Sequence, residues 1–506
     1  MRTPQITSFL RIAIAMVLFA PLPSRAEVSV PNIFGDSMVL QQLQRNKVWG
    51  KAAPGEHVSV RIHEQSQSTS TGDDGIWSVM LEPLPVGGPY QLVISGSNRI
   101  TIEDVLVGEV WICSGQSNMR MGVNQVFDAD LVEAAANYPQ IRMINFPNQG
   151  SQTPIWSHPD SAWAVCSPKT VGRFSAVGYF FGRQLHQTIN VPIGLINNAW
   201  GGSAVDAWIN RELLEANEDY QPALRRWKDQ VAEKKSLAAE ENLSAEQKKK
   251  LEKLRGRLRG NQRPANIYNG VLKSHLGYGI KGAIWYQGES NATRAYQYRE
   301  LFPMMIANWR DEWGQGDFPF YWVQLADFRE EKSQPSESDW AELREAQTMT
   351  MAKLAHTGEA VIIDAGEGYD IHPRNKSIVG RRLARWALAK QVGVDIACQS
   401  PTYKTMEKKN AAIVLSFDHV HQGWRPFDTL QPLGFAIAGA DKKFVWADAK
   451  IIEGNRVKVS SDQVSEPVAV RYAWADNPVC NMFDHIGLPL TPFRTDDWPG
   501  VTINNR

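Results

Sequence analysis

The stretch Gly115-Gln116-Ser117-Asn118-Met119 follows an apolar run over residues 105–112 and exposes one serine in a tight turn. A serine hydroxyl is a weak nucleophile at its own pKa, so chemistry at Ser117 also needs a base within hydrogen-bond reach and donors for an oxyanion. Serine, glycine and asparagine are equally ordinary turn and cap residues, so this motif gains weight only from what the rest of the chain supplies. A second apolar run, residues 191–200, passes through Asn197-Asn198 into Gly201-Gly202, which opens a helical stretch over residues 204–208. A glycine pair at a helix start aims bare backbone N–H groups at an anion. A third run, residues 281–286, leads into Gln287-Gly288-Glu289-Ser290-Asn291, where the Gln287 amide at the carboxyl end of a strand would be a further oxyanion donor.

The fourth piece is Asp370-Ile371-His372-Pro373, reached after an expected strand over residues 361–364 and a loop over 365–369. Histidine is the usual general base near neutral pH. His186, His275 and His485 compete for the role, but Pro373 suits the first turn of a helix expected over residues 378–388. That places His372 at a helix entry on the carboxyl edge of a sheet, where open α/β sheets bind their ligands. Four such loops, each following a strand, point to one site.

These residues carry a family resemblance. Residues 107–119, with Trp200-Gly201-Gly202-Ser203, Trp285-Tyr286-Gln287-Gly288-Glu289-Ser290 and Ile371-His372-Pro373-Arg374-Asn375-Lys376, resemble the sialate O-acetylesterase family. Residues 36–42 near the start, and Gly487-Leu488-Pro489 with residues 492–496 near the end, extend the likeness over nearly the whole chain beyond residue 26. The resemblance implies a serine esterase with an α/β, flavodoxin-like SGNH hydrolase domain working without cofactor or metal. In it Ser117 would be nucleophile, His372 base, and the oxyanion donors would be the Ser117 N–H, the Gly202 N–H and the Gln287 side chain. The wider superfamily has Asp three residues before its histidine, where this chain has Tyr369. Asp370 is the expected third member; Asp364, Glu367 or a backbone carbonyl are the alternatives for orienting the ring.

The family implies acetyl esters of sialic acid, and relatives acting on acetylated xylan or other glycans give the alternative substrate. Gln116, Trp200, Glu289, Asn291 and Arg344 are the substrate-binding candidates, Arg344 or Arg120 as partner for a sialic acid carboxylate. Trp208, Trp285 and Tyr286 also flank the motifs, though core packing is the better reading for at least two of these four aromatic residues. Glu289 also reads as a buried partner that fixes the Gln287 turn. Two rival classes are a glycan-binding protein with a decayed site, which should lack one of the catalytic groups, and a glycosidase, for which only Glu289 and Asp370 offer a carboxylate pair.

The chain of 506 residues exceeds what one core usually serves, and its 54 basic and 54 acidic residues argue against a polyanion partner such as nucleic acid. Arg2 and Arg11 precede an apolar run over residues 12–22 with small residues before position 27, so residues 1–26 read as a cleaved signal peptide and the product as secreted or periplasmic. No later segment approaches the ~20 apolar residues of a membrane span. Residues 27–104 carry an alternating all-β pattern, with turn clusters at 71–75 and 86–89. In residues 105–400 strands alternate with helices, as in a parallel sheet covered on both faces, and residues 401–506 return to β pattern. A charged helical insert occupies residues 211–260, with a capping box from Ser244 to Gln247 and a stripe of Leu243, Leu251, Leu254 and Leu258. It reads as a solvated face, a lid or a dimer contact; the oligomeric state stays open. Cys113, Cys166, Cys398 and Cys480 fit no disulfide framework or zinc pattern, and Cys113 reads as a small core residue. In Asp418-His419-Val420-His421, two histidines at strand spacing lack a third metal ligand nearby.

Overall fold

The computed structural model describes residues 27–506; the expected signal peptide, residues 1–26, lies outside the described residues. The central layer is built from seven strands: β1 Arg99–Gly115, β2 Tyr138–Asn145, β3 Trp163–Cys166, β4 Ile193–Asn197, β5 Gly282–Tyr286, β6 Phe320–Val323 and β7 Thr357–Ala360. They are ordered β7-β6-β5-β1-β4-β2-β3, all parallel except the edge strand β3. Strands β4 and β5 are wholly buried along their length, as expected of parallel strands covered on both faces by helices. The covering helices include α1 Ala176–Ile189 on one side and α2 Ala295–Trp313 and α3 Asp339–Lys353 on the other, with α4 Lys376–Ala387 packed against α1. Cys113 is fully buried in this core, and all four cysteines are free.

Strand β1 is the hinge of the architecture. Its first half pairs antiparallel with Gly87–Ser95 and parallel with Val39–Gln41, and its second half is the centre of the parallel sheet. One continuous strand therefore crosses the boundary that the pattern change places at residue 104. The glycine cluster at 86–89 is not a free turn but enters the strand Gly87–Ser95, where a side chain on Gly88 would meet the Val105 carbonyl oxygen at 2.7 Å.

Beyond residue 400 two four-stranded antiparallel sheets share one core, in which Ile413, Leu415, Val457 and Val459 of one face Ile437, Val470 and Tyr472 of the other. Val361 and Ile363 belong to that same core. Here the expected strand over 361–364 is corrected: β7 ends at Ala360, and of the next residues Val361 and Ile363 bury their side chains in the C-terminal layer while Ile362 stays in the core of the parallel sheet. Helix formation in the charged segment follows local rules. Ser244 and Gln247 form the capping box of the helix Ala245–Arg259, and Leu251 and Leu254 bury against Leu237 of the helix Gln221–Ala239. Among the described residues no helix is long and apolar enough to cross a membrane.

Candidate active site

Strands β4, β1 and β5 lie side by side, so their carboxyl-end turns meet. At the end of β1, Gly115 has φ of +128° and a side chain there would sit 2.1 Å from the Tyr286 carbonyl oxygen, so only glycine lets the chain turn this closely against β5. Gln116 N–H donates to the same carbonyl at 2.9 Å, and Ser117 opens a single helical turn, Ser117–Arg120. The N–H of a first helical residue has no partner within its helix. From β4, Trp200 N–H donates to the Gly115 carbonyl at 3.0 Å, which brings Gly201 against Ser117: a methyl group on Gly201 would lie 3.4 Å from the Ser117 Cβ. Gly202 follows in the left-handed region, φ +71°, and its N–H takes no hydrogen-bond acceptor among the described residues. The segment after it is one 3-10 turn, Val205–Trp208, rather than the expected helix, so the turn geometry itself and not a helix end directs that N–H.

His372 arrives from the far edge of the sheet. After β7 the chain crosses back over the ends of β6 and β5, tied by Gly366 N–H to the Asp327 carboxylate at 2.7 Å and by the Ile371 carbonyl accepting from Asn118 Nδ2 at 2.9 Å. Pro373 precedes the Asn375 cap of α4 instead of lying in its first turn. Asp370 Oδ1 accepts the His372 backbone N–H at 2.8 Å, an Asx turn that folds the chain at Ile371 and leaves the carboxylate 3.5 Å from His372 Nδ1. The other carboxylates weighed for this role are engaged: Asp364 pairs with Arg382 at 2.8 Å, and Glu367 accepts the Arg374 N–H at 2.7 Å.

Ser117, His372 and Asp370 line a common open cavity of about 460 Å³, together with Arg120, Met121, Gln125, Gly201 and Arg374. The competing histidines are elsewhere. His275 is buried against Asn198 and burial pulls it down to about 3, and His186 bonds the Val191 carbonyl. His419 has φ of +61° beyond the strand Ala412–Asp418, so His419 and His421 do not share a strand face as their spacing suggests. Among the described residues no group of three or more His, Cys, Asp or Glu side chains is placed to hold a metal ion.

Several expected contacts are corrected. The Gln287 amide is wholly buried, its Nε2 donating to the Ser203 carbonyl at 3.0 Å and to Asn291 Oδ1 at 2.7 Å while Tyr298 donates to its Oε1 at 2.9 Å. No donor remains for an oxyanion. Asn291 is equally buried, accepting also from Val205 N–H at 3.0 Å, and braces the turns instead of meeting a sugar. Arg344 is fully buried, with its guanidinium spread over the carbonyls of Leu325, Ala326, Ala475 and Asp476 at 2.6–2.8 Å, which joins α3 to the C-terminal layer. Gln116 turns inward, at 3.4 Å from Gly288 N–H, and Glu289 accepts from Asn118 at 2.7 Å. Trp200 is half-buried against the core, where Trp208, Trp285 and Tyr286 are fully enclosed.

Sequence reasoning passed over the groups that form the walls. Gln125 and Met121 carry no pattern, and Arg374 stands in the sequence only as the residue after His372-Pro373. Asn261, two residues beyond the helix Ala245–Arg259, donates to the Gly201 carbonyl, and Gln262 reaches the Gly202 carbonyl at 3.4 Å, so the end of the charged segment braces the glycine turn.

A family model described as a carbohydrate esterase, sialic acid-specific acetylesterase, matches residues 107–242 and 257–388. The sialate O-acetylesterase of Mus musculus is 30% identical over 90% of this chain and 92% of its own length, and that of Homo sapiens 26% identical over 98% of both. A carbohydrate acetylesterase from Xanthomonas citri, known as a crystal structure, is 37% identical and superposes with a TM-score of 0.80 over 93% of this chain and 100% of its own.

Proposed function

Because this chain belongs to the carbohydrate esterase family of sialic acid-specific acetylesterases, and is therefore a carboxylic ester hydrolase, we propose that it removes O-acetyl groups from sialic acid through an acetyl-enzyme on Ser117. The observation that carries this reading is the meeting of Ser117 and His372 in one cavity with Arg120, whose guanidinium makes no hydrogen bond or ion pair among the described residues. Acetylated xylans are neutral, whereas a sialic acid carboxylate matches a free guanidinium.

In the proposed reaction His372 takes the Ser117 proton as the hydroxyl oxygen attacks the acetyl carbonyl. The oxyanion that forms is held by the Ser117 and Gly202 N–H groups. Collapse breaks the bond to the sugar oxygen, which receives the proton from His372, and water attacking the acetyl-enzyme under the same base releases acetate. Asp370, on the Nδ1 side of the ring, favours the tautomer with its free lone pair toward Ser117. On this reading the parallel sheet is the SGNH type of esterase fold, and residues 1–26 direct export to the periplasm or beyond.

The test is acetate release from acetylated sialic acid and from acetylated xylo-oligosaccharides by the full chain and by Arg120→Ala. Preference for the sialic acid ester, lost in Arg120→Ala through a raised KM, supports the proposal. Equal or better cleavage of the neutral xylo-oligosaccharide by the unaltered chain overturns the substrate assignment.

A further inference from the structure

Lys376 stands where elementary physics disfavours it. It is fully buried although lysine is almost never enclosed without a partner, and it opens helix α4, at the positive end of the helix dipole. Its Nζ donates to Asn118 Oδ1 at 2.6 Å and lies 5.2 Å from the centre of the Tyr286 ring. Asn118, the residue after Ser117, uses its other end twice: Nδ2 donates to Glu289 Oε1 at 2.7 Å and to the carbonyl of Ile371, the residue before His372, at 2.9 Å. Glu289 Oε2 is buried and makes no hydrogen bond. One amide thus joins the serine turn, the turn after β5, the histidine loop and the start of α4, with an ammonium at one end and a carboxylate at the other.

We infer that Lys376 is a positioning residue of this esterase, which acts through Asn118, with Glu289 as counter-charge, to fix the loop bearing His372 relative to the turn bearing Ser117. The inference rests on the reading of Ser117 as nucleophile and His372 as base. Lys376 contacts neither the cavity nor a reacting atom. Its effect passes through Asn118, whose amide is held in one orientation because its oxygen faces a cation and its nitrogen faces a carboxylate and a carbonyl. A charge-assisted bond of this kind is roughly twice as strong as a neutral one, so the lock is firmest with Lys376 protonated.

The charged groups facing Lys376 are Glu289, Glu367 and Asp370; against them, burial pulls the ammonium down to about 7 and pushes the Glu289 carboxyl up. The unfolded chain keeps the lysine proton to about 10.5, the ordinary value. Between about 7 and about 10.5 the unfolded state therefore binds the extra proton, and the Lys376 contribution to stability rises with pH over the window in which the lock loosens. Activity and stability move in opposite directions, which a lysine serving stability alone would not produce.

The experiment measures kcat and KM for an aryl acetate, and thermal stability, for the full chain and for Lys376→Met, Asn118→Ala and Ser117→Ala from about pH 6 to about pH 10. The expected result is a folded Lys376→Met protein with kcat lowered about 100-fold, the loss typical of a slight misplacement of reacting groups, and KM changed by less than about threefold. The unaltered enzyme loses kcat above about pH 7 while the stability difference between it and Lys376→Met shifts in its favour, and Lys376→Met lacks that alkaline limb. Should Lys376→Met not fold, Asn118→Ala must show the same fall in kcat at unchanged KM. Lys376→Met or Asn118→Ala with kcat within about threefold of the unaltered enzyme, or an alkaline limb retained in the variant, overturns the inference. Activity surviving in Ser117→Ala discards the reading of the nucleophile instead, so the two failures are distinguishable.

Discussion

The Asp370 carboxylate accepts the backbone N–H of His372 at 2.8 Å and stands 3.5 Å from the Nδ1 of the same residue. One side chain thus sets the turn that presents the imidazole and faces its far nitrogen. Both side chains are about half exposed, at 41% for His372 and 53% for Asp370, so water shares the work of stabilising an imidazolium. Asp370→Asn is expected to lower kcat for an aryl acetate by about 100-fold, short of the ~10⁴-fold cost of altering a buried triad carboxylate, because exposed pairs are screened. A change of less than about threefold would remove Asp370 from the mechanism.

Gln287 separates a catalytic role from a bracing one. Its amide is used up by Ser203, Asn291 and Tyr298, so Gln287→Ala leaves several buried groups unpaired, each costing about 1–3 kcal/mol. Thermal unfolding is expected to shift down sharply. If the variant instead keeps its melting temperature and loses about 10²–10³ in kcat at constant KM, Gln287 is an oxyanion donor after all.

Gly202 is the position where a small change should cost most. Alanine there must adopt φ of +71° with its methyl 3.2 Å from Asn261 Nδ2, which displaces the N–H assigned to the oxyanion. The expected loss is about 10²–10³ in kcat, and Asn261→Ala, which frees the Gly201 carbonyl, should reproduce part of it. Steady-state kinetics of both variants at matched fold content decide this; an unaltered kcat in Gly202→Ala would take that N–H out of the mechanism.

His275 makes stability pH-dependent. Its folded value of about 3 lies below the ordinary 6.5, so between these the unfolded state binds the extra proton and stability falls as pH drops through that window. The slope from one such group is at most about 1.4 kcal/mol per pH unit. His275→Gln is expected to flatten the fall of melting temperature between pH ~6.5 and pH ~4. An identical fall in both proteins would mean that His275 is not buried in neutral form.

The strand ends were legible because apolar runs closing on glycine have few other uses: Gly115 and Gly202 both take positive φ, and the turns after β1, β4 and β5 meet because their strands are neighbours. The direction of a polar side chain in such a turn was not legible. Gln287 and Asn291 sit in a motif beside the site and Arg344 on helix α3, yet each points into the protein, since what decides this is the set of unpaired carbonyls brought in by other elements, such as Ala475 and Asp476 from over a hundred residues away. The cavity walls at Met121, Gln125 and Arg374 come from short turns and loops too brief to show periodicity. Residues 361–363 read as a strand because they are apolar, but that character serves two cores, Val361 and Ile363 facing the C-terminal one and Ile362 that of the parallel sheet. Lys376 ran against composition: a lysine is read as surface, and only the tertiary partners Asn118 and Glu289 explain its burial.

In the proposed reaction Ser117 carries the acetyl group. The most direct test is peptide mass mapping of the full chain after inactivation by a fluorophosphonate, with acetate release from an aryl acetate followed in parallel. The expected result is a single phosphonyl adduct on the peptide containing Ser117, rising in step with the loss of activity and absent from Ser117→Ala. Complete inactivation with the adduct on another residue, or undiminished acetate release once Ser117 is fully labelled, would contradict it.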